Sequence, residues 1–189
     1  MSTLDDPIYN AQKPASKWPL ALRWGLIGGL AGIALQMLWQ VMGWSDYSSS
    51  FSAGNLALMP LGWAIGIGAT ALGIKQYRDD HNGGFISFGG GFGMGMMIAL
   101  VMATVGAIFV VTYMGDVMQD AMSTAMQEQF ESQGLDDEQI EEATKMAGMF
   151  TSTPVMAIFG LIGGLVSGLI YSLIASAIMK RDAPSTYSN

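Results

Sequence analysis

Gly89-Gly90-Gly91-Phe92-Gly93-Met94-Gly95-Met96-Met97-Ile98-Ala99-Leu100-Val101-Met102-Ala103-Thr104-Val105-Gly106-Ala107-Ile108-Phe109-Val110-Val111-Thr112-Tyr113 is a run of 25 residues without one charged side chain. A bilayer core about 30 Å thick is crossed by about 20 predominantly apolar helical residues. Backbone groups in lipid must bond within their own segment, so such a run crosses as a helix. Three more windows have the same character, at about Trp24–Gly43, Asn55–Ile74 and Pro154–Met179, and none of the four contains Asp, Glu, Lys, Arg or His. The expected fold is all-α: a polytopic membrane protein built as a four-transmembrane-helix bundle.

Working outward, the whole chain agrees. Of its 189 residues 51% are hydrophobic and only 12% charged, about half the charge of an average soluble domain, and the mean hydropathy is +0.38. A net charge of -7 lacks the basic stripe that nucleic acid requires. The lipid bilayer is therefore the first expected partner, and a protein partner or second copy the next. With no cysteine, disulfides, thiolate metal sites and cysteine nucleophiles are excluded.

Charge outside the spans predicts the topology. Lys13, Lys17 and Arg23 precede span one, Lys75 and Arg78 follow span two, and Lys180 and Arg181 follow span four; only Lys145 falls between spans three and four. Basic residues near span ends are retained in the cytoplasm. Both termini and the Lys75–Phe88 loop are thus expected inside, and the Trp44–Gly54 and Met114–Thr153 loops outside. Trp18, Trp24, Trp44, Tyr47, Tyr77 and Tyr113 lie near the boundaries as an aromatic belt. Span one is too long, and too far from the start, for a cleaved signal, so it is expected to be a retained anchor. The expected organisation is a polar tail over 1–18, a membrane domain over 19–181 and a second tail over 182–189.

Each span carries glycines four apart: Gly25/Gly29 and Gly28/Gly32, Gly62/Gly66, Gly89/Gly93 and Gly91/Gly95, and Gly160/Gly164/Gly168. The spacing puts them on one face, where helices can approach closely. Packing within one bundle is the expected use, with a dimer face as the alternative. The two hairpins also echo one another, Ile74-Lys75-Gln76-Tyr77-Arg78-Asp79 against Ile178-Met179-Lys180-Arg181-Asp182, as a parallel duplication would. Gln36 and Gln40 share a face and could bond across to Thr70, Thr104 or Ser167, as structural glue or as a pore lining.

The connection between spans three and four holds nine of the fifteen acids. Met114, Met118, Met122, Met126 and Phe130 recur every four residues, the stripe of an amphipathic helix that continues or follows span three. After Gly134 a second helix is expected, with Asp136 as N-cap, Gln139 completing a capping box, and Leu135 and Ile140 as a hydrophobic staple. Ile140, Ala143, Met146, Ala147 and Phe150 give that helix its own stripe. The simplest expectation is an extracytoplasmic helical hairpin whose stripes bury one another. Docking on the membrane, a partner groove contacting Met118, Met122, Met126 and Phe130, and a thioether copper(I) site are the alternatives.

Catalytic signatures are missing. No carboxylate, Lys, Arg or His lies within a span, where coupled carriers place one. His81 sits beside Asn82, Gly83 and Gly84 and reads as turn chemistry. The glycines at 89–95 lack phosphate-loop phasing and a following Gly-Lys-Ser/Thr. The acids at 136–142 suit a helix N-terminus and need no calcium ion. No catalytic residue, metal ligand or cofactor is therefore expected, and the function expected is membrane assembly or partner binding, with a small-solute channel or carrier as the alternative.

One string is distinctive. Ile74-Lys75-Gln76-Tyr77-Arg78, followed by Gly83-Gly84-Phe85-Ile86-Ser87-Phe88-Gly89, resembles an uncharacterised family of small bacterial four-span membrane proteins, the domain of unknown function numbered 4199. The acidic loop running into Pro154 and the basic end of span four are similar too, so the resemblance covers about Trp18–Arg181. It implies residence in the bacterial inner membrane and carries no activity, substrate or catalytic residue. The methionine-rich loop is not ascribed to that family.

Overall fold

A computed structural model describes residues 16–44, 53–134, 136–150 and 152–182. Most of both polar tails, Tyr47 of the aromatic belt and Leu135 of the staple lie outside them. Among the described residues six α-helices follow in order: α1 Trp18–Val41, α2 Ala53–His81, α3 Phe88–Phe109, α4 Gly115–Ser132, α5 Asp137–Phe150 and α6 Thr153–Met179. A π-helical turn, Val110–Met114, joins α3 to α4 without a break. The four windows read from the sequence lie in α1, α2, α3 with its π turn, and α6, each helical stretch long and apolar enough to cross a membrane.

Close approach of small residues decides how the spans pack. A Cβ added to Gly95 would lie 2.8 Å from Ser172 Cβ, one added to Gly91 would lie 3.1 Å from Ser176 Cβ, and one added to Gly164 would lie 2.9 Å from Ala103 Cβ. One added to Gly168 would collide with Ala99. Residues 91, 95, 99 and 103 of α3 therefore face 176, 172, 168 and 164 of α6 in an antiparallel register stepping four at a time. In lipid such close packing supplies the association that hydrophobicity cannot. The buried hydroxyls cost little, because each bonds within its own helix: Ser172 Oγ donates to Gly168 O at 2.7 Å and Ser176 Oγ to Ser172 O.

Span α1 packs on α2 and α3, and α6 on α2 and α3, while α1 and α6 do not touch among the described residues. A two-fold exchanging the hairpins would make the α2–α3 and α1–α6 pairs alike. They are not alike: α2 touches α3. The packing therefore has no such symmetry.

The core lies toward the end carrying Lys75, Arg78 and Arg181, the basic end, where Ala21, Ile74, Tyr77, Ile86, Met94, Ile98 and Ala175 form one buried cluster. Here α2 runs on to His81, so the expected loop from Lys75 shrinks to residues 82–87. His81 is the last helical residue, stacked on Tyr77 with ring centroids 6.0 Å apart. Gly83 and Gly84 then take φ of +64° and +85°, values that only glycine adopts without strain, and Gly84 N donates to Arg78 O at 2.8 Å to close the helix. Ser87 caps α3 by accepting from Gly90 N at 3.2 Å.

Four cross-links hold this end together. Arg78 Nη1 donates to Met179 O at 3.1 Å, and Ile86 and Arg181 exchange backbone hydrogen bonds of 2.9 and 3.0 Å. Trp24 Nε1 donates to Gln76 Oε1 at 2.9 Å, and Lys17 Nζ lies 5.4 Å from the centre of the Tyr77 ring. The Asp79 carboxyl, bonded by Arg78, is held below its ordinary value, chiefly by those hydrogen bonds.

Candidate functional site

The other end is open. If the register of α3 on α6 continued, Ala107 would face Gly160. A Cβ at Gly160 would instead meet nothing within 4 Å. The next close approach comes just after the π turn, where a Cβ on Gly115 would run into Thr153. The earlier register would have put Gly115 against Ser152, so the π turn has advanced α3 by one residue relative to α6. Such turns add a residue to a helix and are frequent at functional sites.

Between the closed stretch and this second contact lies a groove of about 430 Å³, within the usual range for ligand sites. Its walls are α1, α3 with the π turn, the start of α4, and Gly160 of α6. Gly32, Gly106 and Gly160 all line it, and a Cβ on any of them would enter empty space. Gln36 is its polar side chain, and Met102, Met114 and Met118 lie along it.

The residues expected to pack helices thus divide. A Cβ on Gly25 would lie 2.5 Å from Val101 Cβ and one on Gly29 3.0 Å from Val105 Cβ, one on Gly66 would run into the Tyr171 ring, and Gly91, Gly95, Gly164 and Gly168 form the α3–α6 register. Gly32, Gly62 and Gly160 have open space where a side chain would be. Gln36 lines the groove, whereas Gln40 lies a turn further along α1, outside its lining. The hydroxyls expected to meet these glutamines donate elsewhere: Thr70 to Gly66 O and Thr104 to Leu100 O, each at 2.8 Å, while Ser167 bonds Tyr171.

Above the groove, α4 and α5 form the helical hairpin, which rests on the start of α6. The capping box is present: Gln139 N donates to Asp136 Oδ1 at 2.9 Å, and Asp136 N to Gln139 Oε1 at 3.3 Å. Met118, Met122, Met126 and Phe130 are half-buried. On α5 the side chain of Ala147 lies outside the described ones; Ile140 is buried and Ala143 half-buried, while Met146 and Phe150 remain 65% and 68% exposed. Their exposure departs from mutual burial of two full stripes. Phe150 lies three residues before α6 begins, and Ile158 and Phe159 in the first two turns of α6 are exposed as well, a run of apolar surface that lipid can cover. Among the described residues no three His, Asp or Glu side chains lie close enough to share a metal ion.

A family model describing proteins of unknown function, DUF4199, matches residues 23–181. The chain belongs to the DUF4199 family. No curated protein matches it, and no solved structure does. The DUF4199 match spans all four membrane-crossing helices, the groove and the hairpin. It also takes in the Lys75–Gly89 string, whose residues are accounted for by the cross-links of the basic end: Gln76, Tyr77 and Arg78 bind α1 and α6, and Gly83, Gly84 and Ser87 turn the chain into α3.

Ala99, Ala103, Ser172 and Ser176 are the packing residues that glycine counting overlooks. They continue the four-residue period of Gly91/Gly95 and of Gly160/Gly164/Gly168, so a search for any small side chain would have found them. The two glycine classes should respond oppositely to bulk. Gly168→Leu should destabilise the detergent-purified protein by about 1–3 kcal/mol or more through overpacking, read as a lower thermal midpoint by circular dichroism. Gly160→Leu should leave the midpoint unchanged or higher. Equal losses from both would show that the groove is not open.

Proposed function

We propose that this DUF4199 protein is a non-enzymatic bacterial inner-membrane protein that acts by assembly, its groove receiving an apolar transmembrane helix from a second copy or a partner protein. The observation carrying this reading is the glycine lining: Gly32, Gly106 and Gly160 leave room at one level of the membrane for another backbone to approach. Small residues at a helix interface are what association in lipid requires. The hairpin, half-buried on its Met118–Phe130 stripe, stands over the entrance. In this reading both termini are cytoplasmic and the acidic hairpin is outside, as the basic residues at the span ends favour.

A channel through a single bundle is less well supported. Ile74, Met94 and Ile98 are fully buried where the spans meet, so Gln36 faces a groove that ends against a filled core. Copper handling has similar difficulty: Met114 and Met118 are one turn apart, but Met102 lies twelve residues away, about 18 Å along a helix.

The test is to fill the groove. Gly32→Leu and Gly106→Leu add bulk where no atom lies within 4 Å, so each variant should insert and fold. Cross-linking in native membranes should show oligomers or a co-purifying protein for the parent and loss of that species for both variants. An undiminished species in both would overturn the proposal. Sidedness is tested separately, since the chain has no cysteine of its own: a membrane-impermeant maleimide should label Glu131→Cys in intact spheroplasts and Asp80→Cys only after lysis. Labelling of both without lysis would refute the orientation.

A further inference from the structure

We propose that the basic end binds the phosphate headgroup of an anionic phospholipid, held between Lys75 on α2 and Arg181 just after α6. Arg78 is already committed, through Met179 O and through both oxygens of Asp79. That leaves Lys75 and Arg181. Both are exposed, both act on Asp79 through space, and neither is in an ion pair among the described residues. They are brought together by the structure and not by the sequence, because the Arg78–Met179 bond and the Ile86–Arg181 bridge tie the end of α2 to the end of α6.

Charge and position both point to a lipid. Among the described residues at this end, Lys17, Arg23, Lys75, Arg78, Lys180 and Arg181 stand against Asp79, Asp80 and Asp182, a surplus of three cations in a chain whose net charge is -7. Asp79 is neutralised by Arg78, and Asp182 by Lys180 at 3.0 Å. Of the described acids here, Asp80 is left to oppose Lys75 and Arg181. Lys75 directly follows the last apolar residue of its span and Arg181 stands two residues beyond Met179, so both lie at headgroup level. Ile178, 66% exposed three residues before Arg181, and Leu72, 48% exposed three residues before Lys75, offer apolar surface below them for the acyl chains. Basic pockets between membrane helices on the cytoplasmic side bind anionic headgroups.

The experiment titrates the detergent-purified full-length protein with short-chain phosphatidylglycerol, reading the fluorescence of its tryptophans, among them Trp18 and Trp24. Each cation in direct contact with the headgroup should contribute about a fivefold change in affinity, so Lys75→Gln and Arg181→Gln should each weaken binding about fivefold and the double variant about thirtyfold. Arg23→Gln, the same charge change outside the pair, should leave it intact. Both side chains are exposed and Arg181 is bridged through its backbone, so the fold should survive; if the double variant melts early, the two single variants carry the test. Equal binding of phosphatidylcholine, an equal loss from Arg23→Gln, or affinities unaltered in both single variants would overturn the proposal. So would full competition by inorganic phosphate, which would make the site one for free phosphate and not for lipid.

Discussion

Everything in this bundle is arranged around the contact of α3 with α6. Gly91, Gly95, Ala99 and Ala103 meet Ser176, Ser172, Gly168 and Gly164 so closely that the two backbones are nearly in touch. Lipid tails are as apolar as leucine, so burying large apolar side chains between helices gains little there, and close backbone packing must do the work. That contact brings the end of α6 to the end of α2, where Arg78 can reach Met179 O and Arg181 can bridge to Ile86. The closed basic end is thus one mechanical unit, made from packing inside the membrane and hydrogen bonds at its edge.

The same contact explains the open end. A π turn at Val110–Met114 advances α3 by one residue against α6, and the register is lost between Ala103/Gly164 and Gly115/Thr153. Side chains could have filled that gap. Instead Gly32, Gly106 and Gly160 line it and keep it empty. A bundle tight at one end and grooved at the other divides two tasks in the proposed reading: the closed half keeps the fold while the open half can exchange one apolar neighbour for another.

Much of this was legible in the amino-acid sequence, and the part that was not has a physical cause. Four charge-free windows announce four spans, since charge in lipid is expensive wherever it falls. The capping box of Asp136 and Gln139 is local, so three residues suffice to predict it. The glycine pairs announced close packing, but each lies on one helix, and which partner it meets depends on tertiary register: Gly164 meets Ala103 while Gly160, one turn away, meets nothing. The π turn has no signature in Val110-Val111-Thr112-Tyr113-Met114, being a compromise between two contacts on either side of it. The continuation of α2 to His81 is hidden in the sequence because charge ends only the membrane-crossing part of a helix and not the helix itself. Exposure of Met146 and Phe150 was hidden for a related reason, since periodicity reports an apolar face without reporting what covers it.

Disulfide trapping in native membranes tests the central arrangement most directly, because the chain contributes no cysteine of its own and bridged Cβ atoms lie about 3.5–4.5 Å apart, a spacing that positions 91 and 176, with Cβ atoms 3.1 Å apart, reach by opening a few tenths of an ångström. Under mild oxidation the pair Gly91→Cys with Ser176→Cys should close rapidly, while Ala107→Cys with Gly160→Cys should close slowly or not at all. Rapid closure of the second pair, or failure of the first in a protein that still inserts and folds, would contradict a bundle closed at its basic end and open beyond Ala103.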